Sequence, residues 1–462
     1  MQPGLYFGHG DPIAPVILGV TSILAFAVIG RVVARKLSQP TVLGELLMGI
    51  LLGNIAWYYG IDLIAVLREG PRVFDVVNQT LMGAPLDQVA ISIFGADKGP
   101  ELARIIRSPH GGQVMQVAQA VDVFSRYGVI FLLFMVGLNT NLDEMRSVGR
   151  DSIRVAIIGV IMPLTLGYLV VILIRPEMSF NSSLFIAATL GATSIGITAN
   201  VLKEMGRSGS QEGKIILGAA VGDDILGLVI LAVVSGIVVS GSVDIAEVTT
   251  VIVVSALFLI AAVKLGPLLV RIAATIMRRL DIVEAKMFTS YLFVMVLAWM
   301  ANLAGLATII GAFAAGVVLH DSFFARHENS GGSKVVSIRE LIMPLEVILV
   351  PIFFILMGIQ VKIESFLSWP VVTLAGGLLV AAVVGKLASG LGASKPAAKL
   401  VVAIGMLPRG EVGLVFAAIG RTLGVIDDSV FAAIVLMVFI TTLAAPSWLK
   451  AELSRQIRQQ KD

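Results

Sequence analysis

The chain is 462 residues long, 57% hydrophobic and only 14% charged, with a mean hydropathy of +0.94 and no cysteine. A soluble domain carries roughly 25% charged residues, so most of this chain faces lipid, which excludes a soluble enzyme, a secreted disulfide module and a single-span receptor. Without cysteine there are no disulfides, thiolate metal sites or thiol chemistry, and a net charge of +3 reflects loop charges rather than a nucleic-acid surface.

The first residues, MQPGLYFGHGDP, lack Lys and Arg and do not resemble the basic start of a cleaved signal peptide. Apolar runs suited to spans of roughly 20 residues fall near 13–30, 41–58, 127–142, 155–174, 184–202, 215–240, 249–270, 287–304, 307–319, 345–361, 371–391, 400–420 and 430–449. These predict an all-α polytopic membrane protein of about 13 transmembrane helices. Most of the 34 Lys and Arg lie in loops after odd-numbered spans and in the tail, which puts the N-terminus outside and the C-terminus in the cytoplasm of a cell (inner) membrane. The 59–121 segment is too polar to cross. Its stretches PELARIIRS and VMQVAQAVDVFSRYG read as amphipathic helices on the outer face, or as parts of a gate or dimer contact.

Self-similarity runs through the chain. PTVLGELLMGILLG (40–53) aligns with ATIIGAFAAGVVLH (307–320), matching Gly44 with Gly311 and Gly49 with Gly316. FLLFMVGLNTNLDEM (131–145) aligns with IFFILMGIQVKIESF (352–366) on Gly137 and Gly358, and SIGI (194–197) with EVGL (411–414). The paired spans run in opposite directions, so the halves form an inverted repeat. That architecture belongs to secondary transporters, whose site lies near the midplane where interrupted helices meet.

Charges inside spans mark the site. Asp223 and Asp224, in KIILGAAVGDDILGLVILAVV, sit near mid-bilayer, where one acid costs roughly 2.5–3.5 kcal/mol on insertion scales. Adjacent helical residues project about 100° apart, so one Asp faces a cavity while the other meets a neighbouring helix. A carboxylate that trades its proton for a small cation couples the two fluxes. Lys386, in the eleventh run, has two readings: it snorkels to the inner interface, or, by repeat symmetry, it shares the core with the Asp pair and offsets their charge. Lys264 and Arg409 also fall within spans.

Two runs carry breakers. TLGATSIGITANVL (189–202) holds Thr189, Thr193, Ser194, Thr198 and Asn200 with two glycines, and GMLPRGEVGLVF (405–416) holds Pro408, Arg409, Gly410 and Glu411. Both can unwind and offer carbonyls, hydroxyls and half-helix ends to an ion. Thr and Ser alone also fit back-bonding to the preceding turn. Arg409 and Glu411 read as neutralising charge near the crossing, and Glu45 is either interfacial or functional. There is no nucleotide-binding GxxxxGK[ST] loop, and the four His have no ligand spacing.

PTVLGELLMGILLGN, FMVGLNTNL, GATSIGITANVL, VGDDILGLVILA, VPIFFILMGIQV and LPRGEVGLVFAAIG resemble, in order and over nearly the whole chain, segments of the cation:proton antiporter superfamily. Asp-Asp in the sixth span, with Lys in the eleventh, resembles its electrogenic sodium/proton branch. The resemblance implies the sodium/proton antiporter fold with two crossed discontinuous helices, a homodimer in lipid, and elevator movement of a six-helix core. It implies sodium, with lithium possible, exchanged for protons as cargo, no cofactor and no enzymatic activity. Carried over, Asp224 is the principal ion ligand, Asp223 the partner of Lys386, Thr193 a residue of the crossing and Arg409 the basic residue of the second crossing; Ser194 joins the ion-binding set. The implied organisation is dimerisation or panel helices (1–58), an extracytoplasmic loop (59–121), a panel helix (122–145), first-repeat core (146–240), linker and panel helices (241–369), second-repeat core (370–449) and a cytoplasmic tail (450–462). That tail is too short for the nucleotide-binding domain of potassium-efflux relatives. A potassium/proton exchanger or efflux system is the alternative; a channel or sensor is a more distant one.

Overall fold

A computed structural model describes residues 11, 13–37, 39–139, 149–207, 209–240, 245–324, 336–366, 368–395 and 397–459, among which every regular element is helical. Among the described residues, ten helices are long and apolar enough to cross a membrane. The chain divides into two compact units, Met1–Gly128 with Ile348–Ile363, and Val129–Val347 with Glu364–Asp462.

The first unit begins with α1 (Ala14–Lys36) and α2 (Thr41–Tyr58). They cross backbone to backbone, since a Cβ on Gly44 would stand 2.1 Å from the Gly30 carbonyl oxygen. Three shorter helices follow: α3 (Asp62–Glu69), α4 (Arg72–Leu81) and α5 (Leu86–Arg107), the last kinked at Gly95, whose φ of +80° suits glycine. Val76, Val89, Ala90 and Ala103 give these helices a small core of their own. Asn54 at the end of α2 accepts from Arg68 (2.9 Å) and donates to the Val361 carbonyl (2.9 Å), while Lys362 pairs with Glu69 at 2.7 Å.

Of the stretch PELARIIRS, all but the last residue, Ser108, falls within α5. VMQVAQAVDVFSRYG is not a separate surface helix: it forms the first half of α6 (Gly111–Asn139), which continues into the predicted third span. No proline interrupts it, so the helix propagates from one to the other.

The second unit holds α7 (Arg150–Ile174), α8 (Phe180–Thr189), α9 (Ile195–Glu204), α10 (Gln211–Ser240), α11 (Ile245–Ile276), α12 (Ile282–Leu303) and α13 (Thr308–Val318). After α14 (Ile338–Ile359), which is shared between the units, come α15 (Trp369–Ser389), α16 (Lys399–Gly405), α17 (Glu411–Thr422) and α18 (Asp428–Gln459). The predicted spans 184–202 and 400–420 are each two half-helices, α8 with α9 and α16 with α17. The predicted span 307–319 is the 11-residue α13, whose residues 309–318 are all buried. Its burial on every side fits a helix that is apolar all round.

The repeat glycines occupy equivalent contacts. Gly49 on α2 and Gly358 on α14 touch, each Cβ position lying within 2.9 Å of the other's Cα, and Gly137 on α6 and Gly316 on α13 touch within 3.0 Å. Sequence alignment pairs Gly49 with Gly316 and Gly137 with Gly358, so one contact maps onto the other. The first glycine pair behaves alike: Gly44 abuts the Gly30 carbonyl, and a Cβ on Gly311 would stand 2.1 Å from the Leu297 carbonyl. Gly316→Val is expected to lower stability by about 3 kcal/mol or more through overpacking against backbone. Gly112→Ala, in open space, should leave it unchanged or slightly raised, as read by thermal melting in detergent.

Candidate functional site

Both helix breaks arise locally. Pro408 has no N–H and biases Leu407 away from helical geometry, so α16 stops at Gly405 and α17 restarts at Glu411. In the first break, α8 ends at Thr189 and residues 190–194 are non-helical before α9; Thr193 and Ser194 offer side-chain bonds that compete with helix.

The two breaks satisfy one another. Ser194 N–H donates to the Pro408 carbonyl (2.8 Å), Thr193 Oγ1 to the Met406 carbonyl (3.3 Å), and Thr198 Oγ1 to the Gly405 carbonyl (2.7 Å). Arg409 Nη1 returns a bond to the Ala192 carbonyl at 2.9 Å, and Thr442 Oγ1 on α18 donates to the Arg409 carbonyl. The approach is close enough that a Cβ on Gly410 would stand 2.7 Å from Ser194 Cβ.

Asp223 and Asp224 sit within α10, 0% and 6% exposed. Lys386 on α15, also 0% exposed, donates from Nζ to Asp223 Oδ1 at 2.8 Å. Asp223, Asp224 and Arg409 all lie within coulombic reach of Lys386. Arg409 is fully buried as well. Lys386 and Arg409 thus place two cations against two acids away from water, which keeps the burial of each tolerable. Lys264 is by contrast exposed on α11. Ser389 Oγ donates to the Lys386 carbonyl at 2.6 Å. Glu411 begins α17, and its side chain lies outside the described residues. Glu45, in the first unit, is fully buried and accepts from Arg31 Nε at 2.7 Å.

Several contributors gave no signal in the sequence. Asp151 at the start of α7 accepts from Ser394 N–H and Oγ, both at 2.9 Å, and Glu212 at the start of α10 accepts from Ala398 N–H at 3.2 Å. Together they fix the connection leading into α16. Thr442 gave no signal because a Thr in an apolar run usually bonds its own helix. No three His, Cys, Asp or Glu side chains cluster as for a resident metal among the described residues. The adjacent carboxylates of Asp223 and Asp224 lie on α10, in the same unit as the two breaks.

A sequence profile described as "Sodium/hydrogen exchanger, transmembrane" matches residues 23–455. The chain belongs to the sodium/hydrogen exchanger family. Members of this family are secondary transporters, not enzymes, and the chain is a multi-pass membrane protein of the cation:proton antiporter superfamily. It is 36% identical to the high-affinity Na(+)/H(+) antiporter NhaS3 of Synechocystis sp. over 448 residues, 95% of this chain and 90% of that protein. It is 31% identical to the Na(+)/H(+)-K(+) antiporter GerN of Bacillus cereus over 72% of this chain and 83% of that one. The solved structure of the sodium proton antiporter MjNhaP1 from Methanocaldococcus jannaschii superposes with a TM-score of 0.63 at 16% identity, covering 96% of this chain and 99% of that chain, so the fold is shared.

Thr198→Val removes the donor to the Gly405 carbonyl while keeping the shape. It is expected to cost about 1–3 kcal/mol, the price of leaving a buried polar group unmet, and to lower the melting temperature in detergent. Thr165→Val, whose exposed hydroxyl bonds only its own helix at Ile161, should change it far less.

Proposed function

We propose that the chain is an electrogenic sodium/proton antiporter that works through Asp223 and Asp224. The observation that carries this reading is the fully buried Lys386–Asp223 pair, placed with Asp224 and Arg409 in a unit where two interrupted helices meet. Asp224 is the principal ligand, holding either a proton or a sodium ion, with lithium as a possible substitute. Thr193, Ser194 and carbonyls of the break complete the ion's shell, while Arg409 and Glu411 balance charge at the crossing.

Competition for one carboxylate site makes transport alternate. When sodium draws on Asp223, the Lys386 contact loosens and the ammonium can release its proton, so a proton carried on Lys386 beside that on Asp224 gives each cycle net charge. The loaded core, 146–240 with 370–449, crosses as an elevator against panel helices, with residues 1–58 in a homodimer interface and 59–121 outside a cell membrane. Support for the inverted repeat comes from the mapped glycine contacts, and support for a cytoplasmic C-terminus from the basic loops after odd-numbered spans.

A second reading, potassium/proton exchange, is favoured by the similarity to a relative named for both sodium and potassium. In proteoliposomes with an internal pH dye, sodium or lithium should dissipate an imposed pH gradient and potassium should not; equal rates with potassium establish the second reading. Asp224→Asn should reduce exchange to the rate of empty liposomes, and full exchange by this variant overturns the site. Lys386→Ala should keep exchange but move less charge per sodium; unchanged charge movement overturns the role of Lys386.

A further inference from the structure

Helix α11 has one buried edge and one bare one. Ala262, Gly266, Val270 and Ala274 recur every four residues and are buried. A Cβ on Gly266 would stand 2.8 Å from Val318 Cγ1 on α13 and 3.3 Å from Phe293 Cζ on α12, so this edge packs on those two helices. Leu257, Ile260, Lys264, Leu268 and Arg271 follow the three- and four-residue spacings that share a helix face. They lie on the other side, and all five are exposed. Because 257–276 is one of the stretches suited to crossing a membrane, what meets this face meets it within the bilayer.

A lysine is costly on such a face. Lys264 stands about 10 Å along the axis from Arg271, and a charge inside hydrocarbon must find a partner or reach water. The common remedy is to stretch toward the interface, but helical side chains lean toward the helix N-terminus, which for Lys264 is away from the basic stretch that opens with Arg271. Among the described residues Lys264 has no hydrogen-bonding or ion-pair partner. Arg271, two turns on, has no carboxylate either; its Cζ stands 5.8 Å from the ring centroid of Phe323, in the turn Asp321–Phe324. The ridge therefore offers two uncompensated cations continued by apolar side chains. An acid on another polypeptide would have to be carried into hydrocarbon at its own cost, whereas a lipid phosphate arrives with the acyl chains that suit Ile260 and Leu257. A zwitterionic headgroup brings its own cation to that phosphate, so a net negative lipid matches the ridge best.

We propose that the exposed face of α11 binds one acidic phospholipid, its phosphate held between Lys264 and Arg271 and its acyl chains lying along Ile260 and Leu257. The lipid belongs to the leaflet that the Arg271 end of α11 enters. It supplies the negative charge that the chain does not place beside Lys264.

The test titrates the full chain, delipidated in a neutral detergent, with phosphatidylglycerol or phosphatidylcholine and counts bound lipid by native mass spectrometry. One phosphatidylglycerol per protomer should bind in preference to phosphatidylcholine. Lys264→Leu, Lys264→Gln and Arg271→Gln should each weaken it about fivefold, the share of one cation facing an anionic lipid, and Lys264→Arg should keep the parental affinity. Lys395→Gln, which removes an exposed cation outside α11, should change nothing. Melting curves give a second reading: phosphatidylglycerol should raise the parental melting temperature above its value in phosphatidylcholine, and the difference should shrink in Lys264→Leu. Equal phosphatidylglycerol affinity in the parent and both uncharged Lys264 variants overturns the proposal, as does equal binding of the two lipids by the parent. Unchanged lipid binding with loss of a dimer in Lys264→Leu assigns the lysine to a second copy of the chain and also overturns it. A fivefold loss in Lys395→Gln reduces the effect to net charge and overturns the site.

Discussion

A bilayer supplies no water to an open backbone, so a helix that breaks inside it must find other partners for every freed N–H and C=O. In the second unit each break finds them on the other: the Gly405, Met406 and Pro408 carbonyls are met by Thr198, Thr193 and the Ser194 amide, and the Ala192 carbonyl by Arg409. Neither break is affordable alone. This reciprocity explains why Thr and Ser populate one interrupted run while Pro and Arg populate the other. The proline frees carbonyls that the hydroxyls need as acceptors, and the arginine supplies the donor that the non-helical 192–194 segment needs.

The same constraint governs charge. Lys386, Asp223 and Arg409 are all withdrawn from solvent, and removing any one from such a set leaves an uncompensated buried charge, which costs far more than the set as a whole gains in stability. In the exchange proposed above, a cation arriving at the Asp pair would change which charge is surplus, and the least costly response would be for a proton to leave, so that the cost of net charge in a dry interior would couple ion to proton.

The spans, both interrupted runs and the intramembrane acids were legible because lipid imposes a strong compositional code: long apolar runs, with polar residues as conspicuous exceptions. What that code lacks is direction. Lys264 and Lys386 look alike in sequence, each a lone lysine in an apolar run, yet one lies on an exposed face and the other is sealed against Asp223; only the neighbouring helices distinguish them. The 59–121 segment was legible as amphipathic, but its division was not. With no proline in 112–139, nothing marks where the amphipathic part of α6 gives way to the apolar part. Asp151 and Glu212 were silent because acids near helix starts are common surface features, and their bonds to Ser394 and Ala398 join residues far apart in the chain.

The glycines of the repeat show how far a sequence pattern can carry geometry when it is symmetric. Alignment matched Gly49 with Gly316 and Gly137 with Gly358 without reference to contacts, and the contacts found, Gly49 with Gly358 in one unit and Gly137 with Gly316 in the other, are images of each other under that matching. Among membrane helices small residues permit close backbone approach, which replaces the hydrophobic drive that lipid removes. Each of the two contacts joins a helix of one aligned set to a helix of the other, so the two seams are built alike.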